Sequence, residues 1–465
     1  MDYSWLSIIP PVLAVLLAFL TREPVISLAF ACLVGVLLSG SGLGGFPQLL
    51  VRALGNRDFI WICMVELLIG ALVAFYQRSG AVEMFSKKVS FWRKSAVHTQ
   101  LLGWGLGMFI FFSDYFSPLF VGPVMRKLTD RARVSREKLA YICDSTSAPM
   151  SVLAPITGWT VYISGLLAGL DSIEGKRVAM SLFIRSIPFN FYAILTVLMV
   201  GMIAIRWIPE FGPMRHAEQR ALRKGQAVRP GSLSLMSSEL TQLQPSKSGR
   251  RSIWLNFFLP VAIVIAWNTT TFITRGQAQV LESFMAAVCV LGLIMLIQGV
   301  ETLSGLMKCF LAGIKGVMPA VLILAFAYAI NTLSKEMGTA QFVVQATEGW
   351  FRPFLLPGLA FVISAFISFS TGTSWGTYAI MMPMAVPMAV SFSPGVSSPL
   401  VLATIAAVAG GGVFGDHCSP LSDTTVLSSL GSACDHMDHV KTQIPYALTV
   451  AGIAFIFYIF IGVIA

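Results

Sequence analysis

The sequence predicts an all-α polytopic membrane protein built as an inverted repeat. Each half has five spans, one re-entrant helical hairpin and helices broken at the membrane midplane. The chain is 56% hydrophobic and only 12% charged over 465 residues, whereas a soluble domain carries about 25% charged residues. Nearly uncharged runs of about 20 residues, long enough to span a bilayer, recur along the whole length. Polar residues interrupt these runs at matching places in the two halves.

The net charge of +10 does not indicate a nucleic-acid partner, because Lys and Arg are concentrated between the apolar runs and report topology. We therefore expect the lipid bilayer and small ions as partners, and no nucleic acid. The seven cysteines are scattered singly, without metal-binding spacing, and are interpreted as packing residues.

The first repeat is predicted over 1–208. Its apolar segments are 5–20, 24–40, 58–77, 99–125, 139–169 and 179–208. Loops 78–98 and 126–138 are rich in Lys and Arg and are expected in the cytoplasm. Segment 99–125 thus begins and ends on one side, yet it is shorter than the roughly 40 residues that two passes need. It is predicted to be a re-entrant hairpin with its tip at Phe111–Pro118.

A polar linker over 209–251, predicted to be cytoplasmic, separates this half from a second repeat over 252–465. It is expected to hold a short helix near 215–226 and a disordered Ser-rich part at 231–249. The second repeat has apolar segments 253–272, 279–299, 309–332, 353–392, 398–430 and 444–464. Working outward from the cytoplasmic loops places both termini outside. Charge alone does not decide whether 353–392 dips into the membrane or crosses twice; the symmetry favours a hairpin with its tip at Ser368–Gly376.

The most informative stretches are DSTSAP at Asp144–Pro149 and GGGVFGDHCSPLSDTTVLSS at Gly410–Ser429. A bilayer imposes several kcal/mol on each lone buried carboxylate or unpaired backbone group. Carboxylates, hydroxyls and helix-breaking residues that arrive together therefore indicate a broken helix lining a polar site.

Four carboxylates are predicted to bind a cation or a proton: Asp144 and Asp416 at the centre, supported by Asp114 and Asp423. Each has a structural alternative as a helix cap. Carboxylates, hydroxyls and free carbonyls suit a hard cation such as Na⁺, and competition between cation and proton for one carboxylate is sufficient for exchange. The predicted supporting ligands are Ser145, Thr146, Ser117, Thr373, Ser374, His417, Ser419, Ser422 and Thr424.

Two other polar features are interpreted as structural. Glu66, in the middle of segment 58–77, is assigned to packing or to an interface. The DHMDH run at 435–439 is interpreted as a solvated cytoplasmic turn rather than a metal site. No phosphate-binding G-x-x-x-x-G-K-[ST] loop occurs. We therefore expect secondary transport, no enzymatic activity, and no cofactor besides the transported Na⁺ and H⁺.

The block GDHCSPLSDTTVLSS, together with SREKLAYICDSTSAPMSVLAPITGW at Ser135–Trp159, resembles the NhaC family of Na⁺/H⁺ antiporters in the ion transporter superfamily. The resemblance implies Na⁺/H⁺ exchange, paired hairpins with broken helices, a bacterial-type inner (plasma) membrane and a homodimer. Relatives in this superfamily also exchange organic acids or transport amino acids. A Na⁺- or H⁺-coupled transporter of a small organic solute, held by its carboxylate at the hairpin tips, therefore remains the alternative. A channel or a membrane sensor is less favoured, because channels seldom need two mirrored half-sites.

Overall fold

The computed structural model describes residues 5–88, 95–111, 114–155, 157–173, 175–232, 234, 243–246, 248–275, 279–347, 349 and 352–465. Within these ranges the regular structure is helical, and β-structure is limited to one isolated bridge between Ser234 and Asp435. The prediction of an all-α polytopic protein is confirmed. Among the described residues, seven helices are long and apolar enough to cross a membrane, or up to nine if each of two bent helix pairs counts as one span.

The helices of the first half are short and often interrupted. They are α1 Ile9–Thr21, α2 Pro24–Leu38, α3 Gly45–Leu54, α4 Arg57–Arg78, α5 Ala81–Lys88, α6 Ala96–Phe109, α7 Phe116–Arg131, α8 Arg136–Ser145, α9 Ala148–Leu153, α10 Gly158–Ala168, α11 Gly175–Ser186 and α12 Phe191–Ala204.

The polar linker contributes α13 Gly212–Lys224, and longer helices follow. They are α14 Leu259–Arg275, α15 Val280–Ile297, α16 Leu303–Glu336, α17 Thr339–Thr347, α18 Leu356–Thr371, α19 Ser374–Ser391, α20 Pro399–Cys418, α21 Asp423–Ser432 and α22 His436–Ile464.

Each predicted hairpin consists of two helices joined by a short turn. In the first, α6 and α7 pack together around the turn after Phe109, where Phe112 and Ser113 lie outside the described residues. In the second, Gly372 joins α18 to α19 with φ +69°, a conformation that costs glycine little. A Cβ there would also lie 2.5 Å from the carbonyl oxygen of Leu421.

Both broken spans are present. The first is divided into α8, α9 and α10, and the second into α20 and α21. The second packs closely on its hairpin, because a Cβ on Gly415 of α20 would lie 2.3 Å from the backbone nitrogen of Phe369 on α18. The glycines of the GGGVFG motif thus bring the hairpin to the break.

The helices pack around two hydrophobic cores. One is built mainly by α2, α4, α15 and α16, with contributions from α7 and α21. The other is built by α10 to α12, α18 to α20 and α22. The two breaks and the two hairpin tips lie where these groups of helices meet.

Some boundaries differ from the predictions. Segment 179–208 is a bent pair, α11 and α12, rather than one straight span, because Pro188 interrupts it. The linker does contain a helix, α13, while most of the Ser-rich 231–249 stretch lies outside the described residues.

The interpretation of DHMDH as a solvated turn was wrong. Asp435 caps α22 by accepting a hydrogen bond from the backbone N–H of Asp438 at 3.0 Å, so this helix begins well before its apolar run. The first turns of α22 then pack beside both breaks, and His436 and His439 are buried.

Candidate functional site

Asp416 stands in the last turn of α20, beside the second break. Pro420 follows the helix end and cannot continue it, and Ser422 then stands at the N-cap of α21. The intervening residues redirect the chain, so side chains on both sides of the break converge. Asp416 is buried at 3% exposure.

Hydroxyl groups surround the Asp416 carboxylate. Ser374, the first residue of α19, donates to Oδ2 at 2.8 Å. Ser422 donates to Oδ1, and Thr424 reaches the same oxygen at 3.4 Å. The donors therefore come from the hairpin tip and from the start of α21. Each hydroxyl oxygen also has lone pairs, so the group that donates to a bare carboxylate can turn to ligate a cation.

Two further carboxylates lie near the first hairpin. Asp114, at the turn before α7, accepts a hydrogen bond from the indole nitrogen of Trp159 at 3.1 Å. Asp423, the first residue of α21, accepts one from the Tyr115 hydroxyl at 3.2 Å. The first hairpin tip thus contacts the second break through Tyr115. Both carboxylates are close enough to Asp416 to repel it electrostatically.

Asp144 lies at the first break, one residue before the end of α8, and is fully buried. Its Oδ2 accepts a hydrogen bond from the side-chain amide of Gln443 at 2.8 Å. Among the described residues its Oδ1 has no hydrogen bond of good geometry, although Ser428 and Thr425 are close enough to stabilise the carboxylate. Asp144 is therefore a buried carboxylate whose hydrogen bonds are incompletely satisfied.

A hydrogen-bonded chain continues from Asp144 along α22. The Oε1 atom of Gln443 can only accept, so Nε2 of His439, 2.7 Å away, carries the proton between them. Nδ1 of His439 is then free to accept from Ser429, 2.8 Å away. The same imidazole Nε2 is 3.7 Å from Oδ2 of Asp144. Titratable and rotatable groups therefore lead from the carboxylate toward the start of α22.

His417 connects the two breaks. Its Nε2 atom is 2.8 Å from the hydroxyl of Ser145 on α8, and its Nδ1 atom is 2.8 Å from the hydroxyl of Tyr192 on α12. Gln443 also donates to the backbone oxygen of His417. His417, which follows Asp416 in the chain, is therefore hydrogen-bonded to Ser145, which follows Asp144.

Not every predicted ligand joins these clusters. Thr146 donates to the backbone oxygen of Ile142 at 2.7 Å, and Ser419 donates to that of Phe369 at 2.7 Å. Both hydroxyls are used in backbone packing. Thr373 is the N-cap residue of α19 and lines a cavity, and the buried hydroxyl of Ser117 has no hydrogen-bond partner among the described residues.

Several participants are not among the predicted ligands. Gln443, His439, Tyr192 and Trp159 are polar or amphipathic residues in apolar helices, which is the signal they carry in the sequence. Their spacing along the chain gives no reason to join Gln443 and His439 to Asp144, Tyr192 to His417 or Trp159 to Asp114, because only the packing of α22, α12 and α10 does so.

A cavity of about 660 Å³ opens beside Asp423, between α4 and α16 on one side and the second hairpin on the other. Five aromatic side chains line it, together with Asp423, Lys335 and the turn at Gly372. The aromatic residues are Trp61, Tyr115, Tyr162, Tyr328 and Trp375.

The four carboxylates lack cationic side-chain partners. Among the residues that the structure describes, no Lys or Arg lies within ion-pair distance of Asp114, Asp144, Asp416 or Asp423. Nor do His, Cys, Asp and Glu group there in a way that could hold a metal through three such side chains. This burial of negative charge is unfavourable unless protons or a cation compensate it.

A family model described as "Na+/H+ antiporter family" matches residues 152–463, more than half of the chain and inclusive of the second break. The chain belongs to the Na⁺/H⁺ antiporter family. The NhaC-type resemblance of the two motifs agrees with this membership, which makes the chain a multi-pass secondary transporter rather than an enzyme.

Individual relatives of this antiporter differ in their described activities. A Haemophilus influenzae protein described as uncharacterized is 33% identical over 98% of this chain and 90% of its own length. The arginine/ornithine antiporter ArcD of Halobacterium salinarum is 32% identical over 31% of this chain and 29% of its own. A malate-2H(+)/Na(+)-lactate antiporter of Bacillus subtilis is 29% identical over 34% of this chain and 32% of its own.

Proposed function

We propose that this antiporter exchanges Na⁺ for H⁺, with both ions competing for Asp416 and its neighbouring carboxylates. The observation that carries the proposal is the group of four carboxylates, three of them buried and Asp423 half-buried, with no Lys or Arg partner among the described residues. Such a group needs positive charge from outside the chain, and only small cations fit among the hydroxyls that surround Asp416.

The hydrogen bonds suggest a division of labour. At Asp416, three hydroxyls from Ser374, Ser422 and Thr424 supply oxygen ligands of the type that a hard cation prefers. At Asp144, the partners are an amide and an imidazole, which suit proton transfer more than cation ligation. His417 connects the two breaks by hydrogen bonds, so protonation at one break can change the binding properties of the other.

We further propose that residues 1–208 and 252–465 are inverted repeats joined by a cytoplasmic linker at 209–251. Each half supplies one hairpin next to one broken span, as secondary transporters with this architecture do. The protein would then lie in a bacterial-type inner membrane as a homodimer, with both termini outside. Alternating access would follow from movement of one group of helices against the other.

Everted membrane vesicles loaded with a pH-sensitive dye test Na⁺/H⁺ exchange directly. After acidification, Na⁺ addition is expected to discharge the pH gradient in vesicles with the wild-type protein. Asp416→Asn should abolish this response at matched expression. A wild-type protein that gives no response to Na⁺, or an Asp416→Asn variant that responds as the wild type does, would remove the proposal.

The cavity favours a second candidate function, namely exchange of a small organic acid or amino acid coupled to Na⁺ or H⁺. Its volume of about 660 Å³ lies in the range of pockets for small organic ligands, about 300–1,000 Å³, and far exceeds what a bare ion needs. Lys335 can pair with a carboxylate, while Asp423 and the aromatic rings can hold an ammonium group. The described activities of two relatives also involve organic solutes.

Counterflow in proteoliposomes distinguishes this candidate from ion exchange alone. Vesicles preloaded with a mixture of amino acids or of dicarboxylic acids would be diluted into labelled substrate. Saturable counterflow that Lys335→Gln weakens would support an organic substrate. Its absence, with Na⁺/H⁺ exchange intact, would identify the cavity as an aqueous entrance to Asp423.

A further inference from the structure

Neither carboxyl oxygen of Glu66 has a hydrogen-bond partner in the described part of the chain. No other buried Glu or Asp outside the clusters above shares this property among the described residues. The residue is fully buried in α4. An isolated carboxylate in such surroundings costs many kcal/mol, whereas its protonated form costs far less. Glu66 therefore holds a proton in the conformation described.

The packing of α4 shows which way Glu66 faces. Phe59 contacts the ring of Tyr328 on α16, with centroids 5.4 Å apart. A Cβ on Gly70 would lie 2.5 Å from the carbonyl oxygen of Gly313, so the two helices run antiparallel in close contact. With 3.6 residues per turn, positions 59, 66 and 70 fall within an arc of about 40°. Glu66 thus faces α16.

This position is close to the cavity. Counting along the antiparallel pair from Phe59 and from Gly70 brings Glu66 level with residues 317–321 of α16, one to two helical turns from Leu324. Leu324, Ala327 and Tyr328 line the cavity, as does Trp61 on α4 itself. A proton on Glu66 is therefore about 5–10 Å along the helix axis from the cavity lining.

Few titratable groups share this environment. Asp423, at the cavity wall, and Cys63, on α4, interact electrostatically with Glu66. On α16 the stretch from Val317 to Ala327 contains no titratable residue. Several other groups on neighbouring helices stand elsewhere. Glu282 and Cys289 of α15 and Lys315 of α16 are exposed, and Arg52 of α3 pairs with Glu336. Glu83 of α5 follows the far end of α4, Tyr115, the residue before α7, binds Asp423, and Tyr328 of α16 lines the cavity.

We propose that Glu66 is an additional proton-binding site of the transport cycle, located on the α4–α16 pair and coupled to Asp423 by charge. This rests on the proposed Na⁺/H⁺ exchange. A cation that enters beside Asp423 offsets the negative charge there, which lets Glu66 release its proton to water in the cavity. When the cation leaves, Glu66 takes a proton back. One proton more is then exchanged per cycle than the carboxylates at the breaks account for.

The number of protons per Na⁺ tests this in proteoliposomes at a clamped membrane potential. The pH gradient at which a fixed Na⁺ gradient gives no net flux yields the ratio. Glu66→Gln is expected to keep exchange and to move one proton fewer per cycle. Glu66→Asp should retain the wild-type ratio, and Glu282→Gln, the same chemical change at an exposed site, should also leave it unaltered. Equal ratios for the wild type and Glu66→Gln would overturn the proposal.

Infrared difference spectroscopy of the purified protein gives a readout independent of transport. In the wild type, Na⁺ addition or a rise in pH should remove the carbonyl band of a protonated carboxylic acid. Glu66→Gln should lose the part of that band that Glu66 contributes, even if it no longer transports, and a band as strong as in the wild type would contradict the proposal. If the wild type failed to exchange Na⁺ for H⁺, the proposed function would fall, while the pH-dependent band would still decide whether Glu66 titrates.

Discussion

The two broken spans place an aspartate at matching positions but surround it with different chemistry. At the second break, Asp416 is held by hydroxyls from Ser374, Ser422 and Thr424. At the first, Asp144 has one amide donor and a nearby imidazole, and its second oxygen makes no hydrogen bond of good geometry within the described part of the chain. Similar motifs, DSTSAP and DHCSP, therefore form unlike sites, and the difference suggests a cation ligand at one break and a proton acceptor at the other.

The two halves also differ in how the broken span packs against its hairpin. In the second half the close contact depends on Gly415 of the broken span itself, which meets the backbone of α18. In the first half the glycine lies on the hairpin, where a Cβ on Gly107 would lie 1.9 Å from the hydroxyl oxygen of Thr146. The Thr146 hydroxyl can rotate away, but its Cβ would still lie 2.6 Å from the added atom. The first contact therefore involves one residue and a small shift, whereas the second involves the backbone of α18, and we expect the first to tolerate more change.

The largest expected effect is on Na⁺ binding, which should depend on Asp416 and not on Asp144. A ligand at 100 times its dissociation constant stabilises the folded state by about 2.7 kcal/mol, so Na⁺ should raise the melting temperature of the wild type. Asp416→Asn should lose this rise entirely, because the charged ligand is gone. Asp144→Asn should retain it while losing proton coupling. Thermal unfolding in detergent with Na⁺ or choline checks this, and the reverse pattern would refute the division of labour.

The next effect concerns the glycine contacts. Gly415→Ala should destabilise the protein by about 3 kcal/mol, because its Cβ would meet the backbone of Phe369. Gly107→Ala should cost less, about 2 kcal/mol, because Thr146 would lose one hydrogen bond and its Cβ, 2.6 Å from the new methyl, would also have to shift. Gly165→Ala is the matched control, since nothing lies within 4 Å of its Cβ position. Equal melting temperatures for the first two variants would contradict this contrast.

A smaller effect distinguishes two hydroxyls at the second break. Ser374→Ala should raise the half-saturating Na⁺ concentration about 5-fold, which corresponds to roughly 1 kcal/mol for one lost ligand. Ser419→Ala should leave it unchanged, because that hydroxyl binds the backbone of Phe369. Initial rates of Na⁺-driven proton flux would measure both, and equal shifts would show that Ser374 has no special role.

The smallest effect lies at the linker helix α13, which contacts the first broken span. Glu218 of α13 accepts hydrogen bonds from the backbone N–H and hydroxyl of Ser135, at 2.8 and 2.7 Å. Burial raises the pKa of the Glu218 carboxyl above its ordinary value. The folded state thus binds this proton more tightly than the unfolded state, and stability falls as pH rises through the raised pKa.

Glu218→Gln should remove this pH dependence, which amounts to no more than about 1 kcal/mol in the free energy of unfolding. Its melting temperature relative to the wild type should therefore increase between acidic and neutral pH and then level off. The exposed Glu282→Gln serves as control. A difference that shrank with rising pH would mean that the ionised carboxylate, not the neutral one, is favoured in the fold.

Much of the membrane architecture followed from composition and charge. The uncharged runs predicted helices, and Gly372, Pro420 and the polar motifs marked the turns and breaks where the structure has them. Helix ends were harder, because the start of α22 depends on a cap at Asp435 and on burial among neighbours, and no hydropathy pattern reports either.

The sequence by itself determined that helices of membrane-spanning length must carry aspartates and hydroxyls at two breaks, since apolar runs and helix-breaking residues are local properties. Only the tertiary structure decided which hydroxyls face Asp416, that Gln443 and His439 meet Asp144, and that Glu66 is buried without a partner. Those outcomes depend on contacts between helices far apart in the chain. Residues with the same local signal, such as Ser419 and Ser422, therefore end with a backbone carbonyl in one case and a carboxylate in the other.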